Sequence, residues 1–386
     1  MTISTPPSAR SAERSGFAEA LGLFFLNGFL FGTWAARIPD VKLRFDLSEA
    51  AMGGLLLTLG IGAVVAFLLL GRSVDRIGAA RFSAWSAVAM ALVLPLIALS
   101  DTVLALGAAL IAFGMIGGAL DMAMNVYGAE VEARRAAPSM SRMHGMWSVG
   151  FGCGSGALIL AQGAGLGMLE QFAGVAALML RLALACMSRM VPSTTGKDTG
   201  GPIFVMPRGA VLGLCLIIAI AFAGEGAVLD WTGIHIVEGL SGTLREGATA
   251  LAIFSIVMVV LRLTGDYVVA RIGARRVVIA SGTFILAGAA LMFWSDSTLG
   301  VYTAMVLFAT GFAPLAPTAF SAAGRRRDMS LGRAMAALSL FGYGSLLFGP
   351  VAMGMIAEVT SLPMAFLGLG VLALICLARL GRRQNL

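Results

Sequence analysis

Asp121 and Asn125 stand four residues apart inside AFGMIGGALDMAMNVYG, residues 112–128. On a helix that spacing puts both side chains on one face. Asp exists as COOH or COO⁻, which makes Asp121 a candidate proton carrier. The Asn125 amide offers both a donor and an acceptor, a match for a polyol or sugar. RMHGMWSVG, residues 142–150, adds His144, which could share a proton with Asp121. It also adds Trp147, whose ring could stack on a sugar or hold a cationic amine. GEGAVLDW, residues 224–231, contributes Glu225 and Asp230, with Glu225 the deeper of the two and a second candidate for proton or amine binding. Asn27 and Tyr343 complete the set of candidate cavity residues. Each group also has a plain structural reading. Asp121 and Asn125 could be polar contacts between helices, His144 a structural histidine, and Trp147 an interfacial aromatic.

The solvent decides how much these groups matter. The chain has 386 residues, 59% of them hydrophobic and only 12% charged, with 50 glycines. Its mean hydropathy is +0.92. A soluble domain carries about 25% charged residues, and glycine is favoured in membrane helices because it lets backbones approach. Apolar runs recur about every 30 residues, each near the roughly 20 needed to cross a bilayer. No period-two alternation marks a β-barrel. The composition therefore implies an all-α polytopic membrane protein, where a carboxyl at the bilayer centre costs roughly 2.5–3.5 kcal/mol unless it faces a cavity or a partner.

Twelve spans are expected, at 17–38, 50–70, 79–99, 102–128, 139–163, 169–189, 209–234, 244–269, 276–295, 299–321, 330–357 and 362–380. Arg72, Arg76, Arg81, Arg134, Arg135, Lys197, Arg208, Arg271, Arg275, Arg276 and Arg325–Arg327 cluster in alternate turns, while the opposite turns hold little beyond Lys42, Arg44 and Arg245. The positive-inside rule then puts both termini in the cytoplasm, and accounts for the net charge of +7 without nucleic acid. The first span is too long for a signal-peptide core. Residues 1–16 and 382–386 read as cytoplasmic tails. VPSTTGKDTGGPIFVMP, within 191–208, reads as a linker between a bundle at 17–190 and a second at 209–381.

The two halves echo each other. DRIGAAR (75–81) and ARIGARR (270–276) differ in register by 195 residues, about half the chain. NGFLFGTW (27–34) and EGAVLDW (225–231) form a looser pair. Such duplication places a solute cavity between two pseudo-symmetric six-helix bundles.

GRSVDRIGAAR (71–81) resembles the characteristic turn between the second and third helices of the major facilitator superfamily, here through Gly71, Asp75, Arg76, Gly78 and Arg81. Ala79 and Ala80 replace the usual basic pair. RLTGDYVVARIGARR (262–276) is similar in the second half, through Asp266, Arg271 and Gly273, with Ala270 in place of the usual acid. LNGFLFGTWAARIP, DMAMNVYGAEVE, MSRMHGMWSVG, GEGAVLDW, RLTGD and FSAAGR look like the fucose-permease-like branch, and within it the membrane proteins linked to rhizopine transport. The resemblance implies alternating-access transport of a sugar- or inositol-like solute, such as an amino sugar, by a protein working as a monomer in the bacterial inner membrane, with the turn residues acting in conformational change.

Other expectations follow from the residues. Arg37, just before Pro39, could close an outer gate by pairing with an acid, or simply snorkel. Gly224 and Gly226 could let the seventh span bend, and Pro314 and Pro317 could bend the tenth. Tyr343 in FGYGSLLFG could line a mobile gate, with Thr318 and Ser339 nearby. His235 is expected near the outer surface, in solvent. Cys153, Cys186, Cys215 and Cys376 read as small buried hydrophobes. No cofactor, metal site or enzymatic motif is expected. Proton-coupled secondary transport, in a direction the sequence does not set, is the leading reading. Efflux of amphipathic compounds, a channel and a membrane-embedded sensor are the rivals.

Overall fold

The structure, a computed structural model, describes residues 16–135, 139–193, 209–324 and 331–383. Lys197, Arg208, Arg325, Arg326 and Arg327, most of the linker, residues 1–15 and residues 384–386 lie outside them, while Arg382 and Arg383, expected in the tail, continue the last helix. In the first half the helices are α1 (Phe17–Ala36), the short α2 (Ile38–Arg44), α3 (Glu49–Ile77), α4 (Ala79–Ala98), α5 (Val103–Arg135), α6 (Met140–Gly163) and α7 (Met168–Arg189). The second half has α8 (Gly209–Ile234), α9 (Leu244–Ile272), α10 (Ala274–Trp294), α11 (Thr298–Phe312), α12 (Leu315–Gly324), α13 (Leu331–Val359) and α14 (Leu362–Arg383). A π turn, His235–Gly239, extends α8.

Local chemistry sets the boundaries. The Ser48 hydroxyl accepts from Ala51 N–H to cap α3. Thr243 and Glu246 form a reciprocal capping box on α9. Pro314, lacking an N–H, falls where α11 gives way to α12. The expected bend in the tenth span is thus a break, whereas α8 runs unbroken past Gly224 and Gly226. The echoed turns adopt one conformation. Gly78 has φ 90° and ψ 136°, and Gly273 has φ 84° and ψ 144°. A side chain at either would be strained at that positive φ.

α2 prolongs α1 and α12 prolongs α11, so the helices make twelve crossings. Within the first half α1 packs on α6, α3 on α5 and α4 on α7. The second half repeats this, with α8 on α13, α9 on α11 and α10 on α14. The halves join through α6 against α9 and α3 against α13, contacts that the same pseudo-symmetry exchanges. The protein is therefore an all-α polytopic membrane protein built from two pseudo-symmetric six-helix bundles. Among the described residues, eleven helices are long and apolar enough to cross a bilayer. The other crossing, α6, carries Arg142, His144, Ser148, Ser155 and Gln162. It sits between α1 and α9, where protein replaces much of the lipid.

Glycine explains how α1 and α6 approach. A Cβ on Gly28 would lie 2.0 Å from the Trp147 carbonyl oxygen, and one on Gly32 would lie 2.1 Å from that of Phe151. Reciprocally, Gly150 and Gly154 of α6 face the Phe25 and Phe29 carbonyl oxygens at 2.1 and 2.0 Å. The obstructions are backbone, so no side chain can rotate away. Gly28→Ala or Gly154→Ala should force the helices apart and cost about 1–3 kcal/mol, read as a lower Tm in detergent. Gly156→Ala, which meets open space, is the control and should leave Tm unchanged.

The linker begins tied to the first half: Val191 N–H donates to the Tyr127 hydroxyl, and the Ser193 hydroxyl accepts from Ala80 N–H. Cys186 and Cys215 are buried, but Cys153 is exposed and Cys376 only half-buried. The expectation of four buried cysteines therefore fails at those two. An apolar run fixes membrane depth, not the direction each side chain points.

Candidate functional site

The halves are fastened at the end of the molecule remote from the termini. Lys42 on α2 reaches across to Glu238 on the π turn at 2.6 Å, and lies 3.7 Å from Glu49. Ala50 N–H donates to the Glu358 carboxylate, joining α3 to α13. Below these bonds a Cβ on Gly53 would sit 2.9 Å from the Pro350 carbonyl oxygen, and one on Gly233 would sit 2.9 Å from Pro39. Arg37 does pair with an acid, but with Asp40 of its own half at 2.7 Å, while its Nε donates to Gln171. It braces α2 on α7, and the cross-half ion pair belongs to Lys42.

Toward the terminal end α6 and α9 part. A Cβ on Gly152 would lie 3.0 Å from that of Ser255, whereas one on Gly145 would find its nearest neighbour, Leu263, at 4.0 Å. His144 beside it is exposed. Glu238→Lys would set two cations against each other across the closed end, and like charges at an interface cost several kcal/mol. A cysteine at buried Pro39 should then react several times faster with a membrane-impermeant thiol reagent than in the Glu238 parent. An unchanged rate would show that Lys42–Glu238 does not hold this end shut.

Deeper in, two polar clusters bridge the halves. In one, the Tyr343 hydroxyl of α13 donates to Asp121 Oδ2 on α5. Asn125 Nδ2 approaches Asp121 Oδ1 at 3.4 Å and donates to its backbone carbonyl at 2.8 Å. The Tyr343 ring lies 4.7 Å from that of Phe67 on α3 and 6.0 Å, edge-on, from that of Phe222 on α8. Asp121 thus accepts on both oxygens and is tied to the opposite bundle through one hydroxyl.

The second cluster includes a group that the sequence reading missed. Arg262 on α9 donates to both oxygens of Glu225 on α8, at 3.0 and 3.2 Å, and to the Ser148 hydroxyl on α6 at 3.0 Å. Its side chain is 18% exposed and that of Glu225 16%. The signal was present: an arginine ten residues inside an apolar span must find an acid, and Glu225 offers one.

Trp147 and Asn27 meet directly. The indole Nε1–H donates to Asn27 Oδ1 at 2.7 Å, while Asn27 Nδ2 faces the Met90 sulfur. Asn27 is buried, so it orients Trp147 rather than presenting its amide to open space. His144 does not share a hydrogen bond with Asp121. Its ring meets Phe24 edge-on at 5.1 Å. Equal depth misled here because α1 stands between α5 and α6. Asp230, half-buried on α8, has no hydrogen-bond partner among the described residues. His235 is not solvated. It is 3% exposed, with both ring nitrogens unpartnered, because the π turn folds it under Gly239.

Of the turn residues, Arg76, Arg81 and Arg271 are exposed, with the Arg271 guanidinium 5.0 Å above the Tyr267 ring. Gly71 and Asp75 lie on α3 and Asp266 on α9, but the Asp75 and Asp266 side chains, like that of Ser339, fall outside the described part of the structure. Thr318 is buried with its hydroxyl unpartnered.

Two helical bundles bonded to each other by polar groups inside the membrane can rock about those bonds, and the comparisons with known proteins fit that arrangement. The Major Facilitator Superfamily model matches residues 20–327. An uncharacterized transporter of Sinorhizobium fredii is 32% identical over 91% of this chain and 93% of its own. An uncharacterized MFS-type transporter of Yersinia pestis is 31% identical over 89% of each. The membrane protein MosC of Rhizobium meliloti is 27% identical over 89% of this chain and 84% of its own. Among solved structures, the nucleoside transporter NupG aligns over 95% of this chain and 99% of its own, in its D323A mutant, with a TM-score of 0.78 at 14% identity, a likeness of fold. This chain therefore belongs to the major facilitator superfamily, as a secondary-active transport protein rather than an enzyme.

Proposed function

We propose that the protein carries a small, polar, ring-shaped solute, sugar- or inositol-like and with amino sugars included, together with protons across the bacterial inner membrane. The observation that carries this reading is the Asp121 carboxylate meeting the Tyr343 hydroxyl of the opposite bundle inside the membrane. A hydroxyl-rich solute can replace that hydroxyl as donor to Asp121, and protonation changes what Asp121 can accept. Both events act on a bond between the halves, so both can bias which end is open. Phe67, Phe222 and Trp147 supply the flat apolar faces that a sugar ring uses.

The basic turns, with Arg76, Arg81, Arg134 and Arg271 at the terminal end, support a cytoplasmic position for both termini. In that orientation the fastened end is outside. Glu225, held by Arg262, serves as a partner for that cation, which leaves Asp121 as the proton site. Branch membership near the fucose-permease-like and rhizopine-linked proteins is part of this proposal.

Thermal stabilisation of purified protein across inositols, hexoses, amino sugars, nucleosides and hydrophobic cations tests the ligand class. A ligand at 100 times its Kd adds about 2.7 kcal/mol. Stabilisation by polyols or amino sugars is the expected result. Stabilisation by bulky hydrophobic cations alone would overturn the reading in favour of efflux.

A further inference from the structure

The flank of the second half carries a groove separate from the polar clusters that bridge the halves. α9 and α10 both pack on α11 but touch each other little beyond their turn at Gly273. The space between them is lined by Leu261, Gly265 and Ile272 of α9, Val277 and Phe284 of α10, and Pro314 at the helix break that floors it. Its walls are almost wholly apolar. Ile272 and Phe284 remain 43% and 40% exposed along it, so the groove leaves large apolar side chains for something else to cover.

Length and charge identify the cover. From Leu261 to Ile272 the groove rises about 16 Å at roughly 1.5 Å per residue. That is half of the roughly 30 Å hydrocarbon core, or one leaflet. At its terminal end stand Arg271 and Arg276, both exposed, while Arg275 lies on the face of α10 turned toward α14. The Arg271 guanidinium is held over the exposed Tyr267 ring at 5.0 Å, an aromatic at headgroup level. An apolar slot one leaflet deep, with a guanidinium pair at its mouth, matches one class of molecule. We propose that this groove binds an anionic phospholipid, with one acyl chain along α9 and α10 and the phosphate on Arg271 and Arg276. Basic pockets between membrane helices recognise anionic headgroups in this way.

The test uses the full chain in nanodiscs containing trace photo-crosslinkable phosphatidylglycerol or phosphatidylcholine with identical tails, and peptide-level mass spectrometry of residues 261–284. Each arginine near an anionic headgroup is worth about a fivefold factor. Phosphatidylglycerol should therefore label this segment at least about tenfold more than phosphatidylcholine. Changing Arg271 and Arg276 to glutamine should bring the two lipids level. Gly265→Phe puts its side chain into open space, since a Cβ there meets nothing within 4 Å. It should fold normally and lose labelling by both lipids. Equal labelling by the two lipids in the parent would overturn the proposal. So would phosphatidylglycerol labelling that survives Gly265→Phe.

Discussion

Asp121→Asn should abolish solute accumulation driven by an imposed pH gradient while leaving counterflow largely intact. Asparagine keeps the size of the acid and can still accept from Tyr343, but it cannot take up or release a proton. Counterflow needs binding and reorientation without net proton movement, so it separates lost coupling from lost binding. The effect should be all-or-none for accumulation and modest for exchange. Tyr343→Phe removes the cross-half donor and keeps the acid. It should retain gradient-driven accumulation at a reduced rate, because the bond biases the open state without carrying the proton. If Asp121→Asn accumulates normally and Glu225→Gln does not, the proton site moves to α8. If both accumulate normally, coupling runs through neither acid.

Arg262→Leu should be among the most damaging single changes in the protein. It strands Glu225 as an unpaired acid, 16% exposed, within the membrane interior. Breaking a buried ion pair by removing one partner costs about 3–5 kcal/mol, whereas replacing both partners by apolar residues is often neutral. The double variant Arg262→Leu/Glu225→Leu should therefore recover most of the Tm that Arg262→Leu loses. Transport should not recover with it, since the double variant also loses the Ser148 link between α9 and α6. A double variant as unstable as the single one would show that Arg262 matters through packing and Ser148, not through Glu225.

Membrane insertion makes part of this architecture plain in one dimension. Apolar runs near 20 residues mark the crossings, and the matched glycines at 78 and 273 mark the repeat, because only glycine takes their positive φ without strain. Pro314 shows where the tenth crossing breaks. α6 also reads as a span, although its polar residues weaken the signal: Ser148 and Ser155 are buried against protein, while Arg142, His144 and Gln162 lie exposed nearer its ends. Pairing is a different matter. Counting 1.5 Å per residue gives depth but neither the rotation of a helix nor its neighbours. Depth alone set His144 beside Asp121, when α1 lies between their helices and the acid's partner is Tyr343, 222 residues away. The same limit hid the burial of His235, because nothing in HIVEG marks a π turn. Arg262 was legible and overlooked. Read as the start of a turn motif, it escaped the rule that a charge within a span needs a partner.

Solute-evoked proton flux reads directly whether solute and proton cross together. Proteoliposomes carry a pH-reporting dye inside, no imposed gradient, and a valinomycin-clamped potential. A solute identified by thermal stabilisation is then added outside. Internal acidification should track solute entry in the parent, and Asp121→Asn should exchange solute without acidification. Solute entry into parent vesicles with no change in internal pH would contradict it.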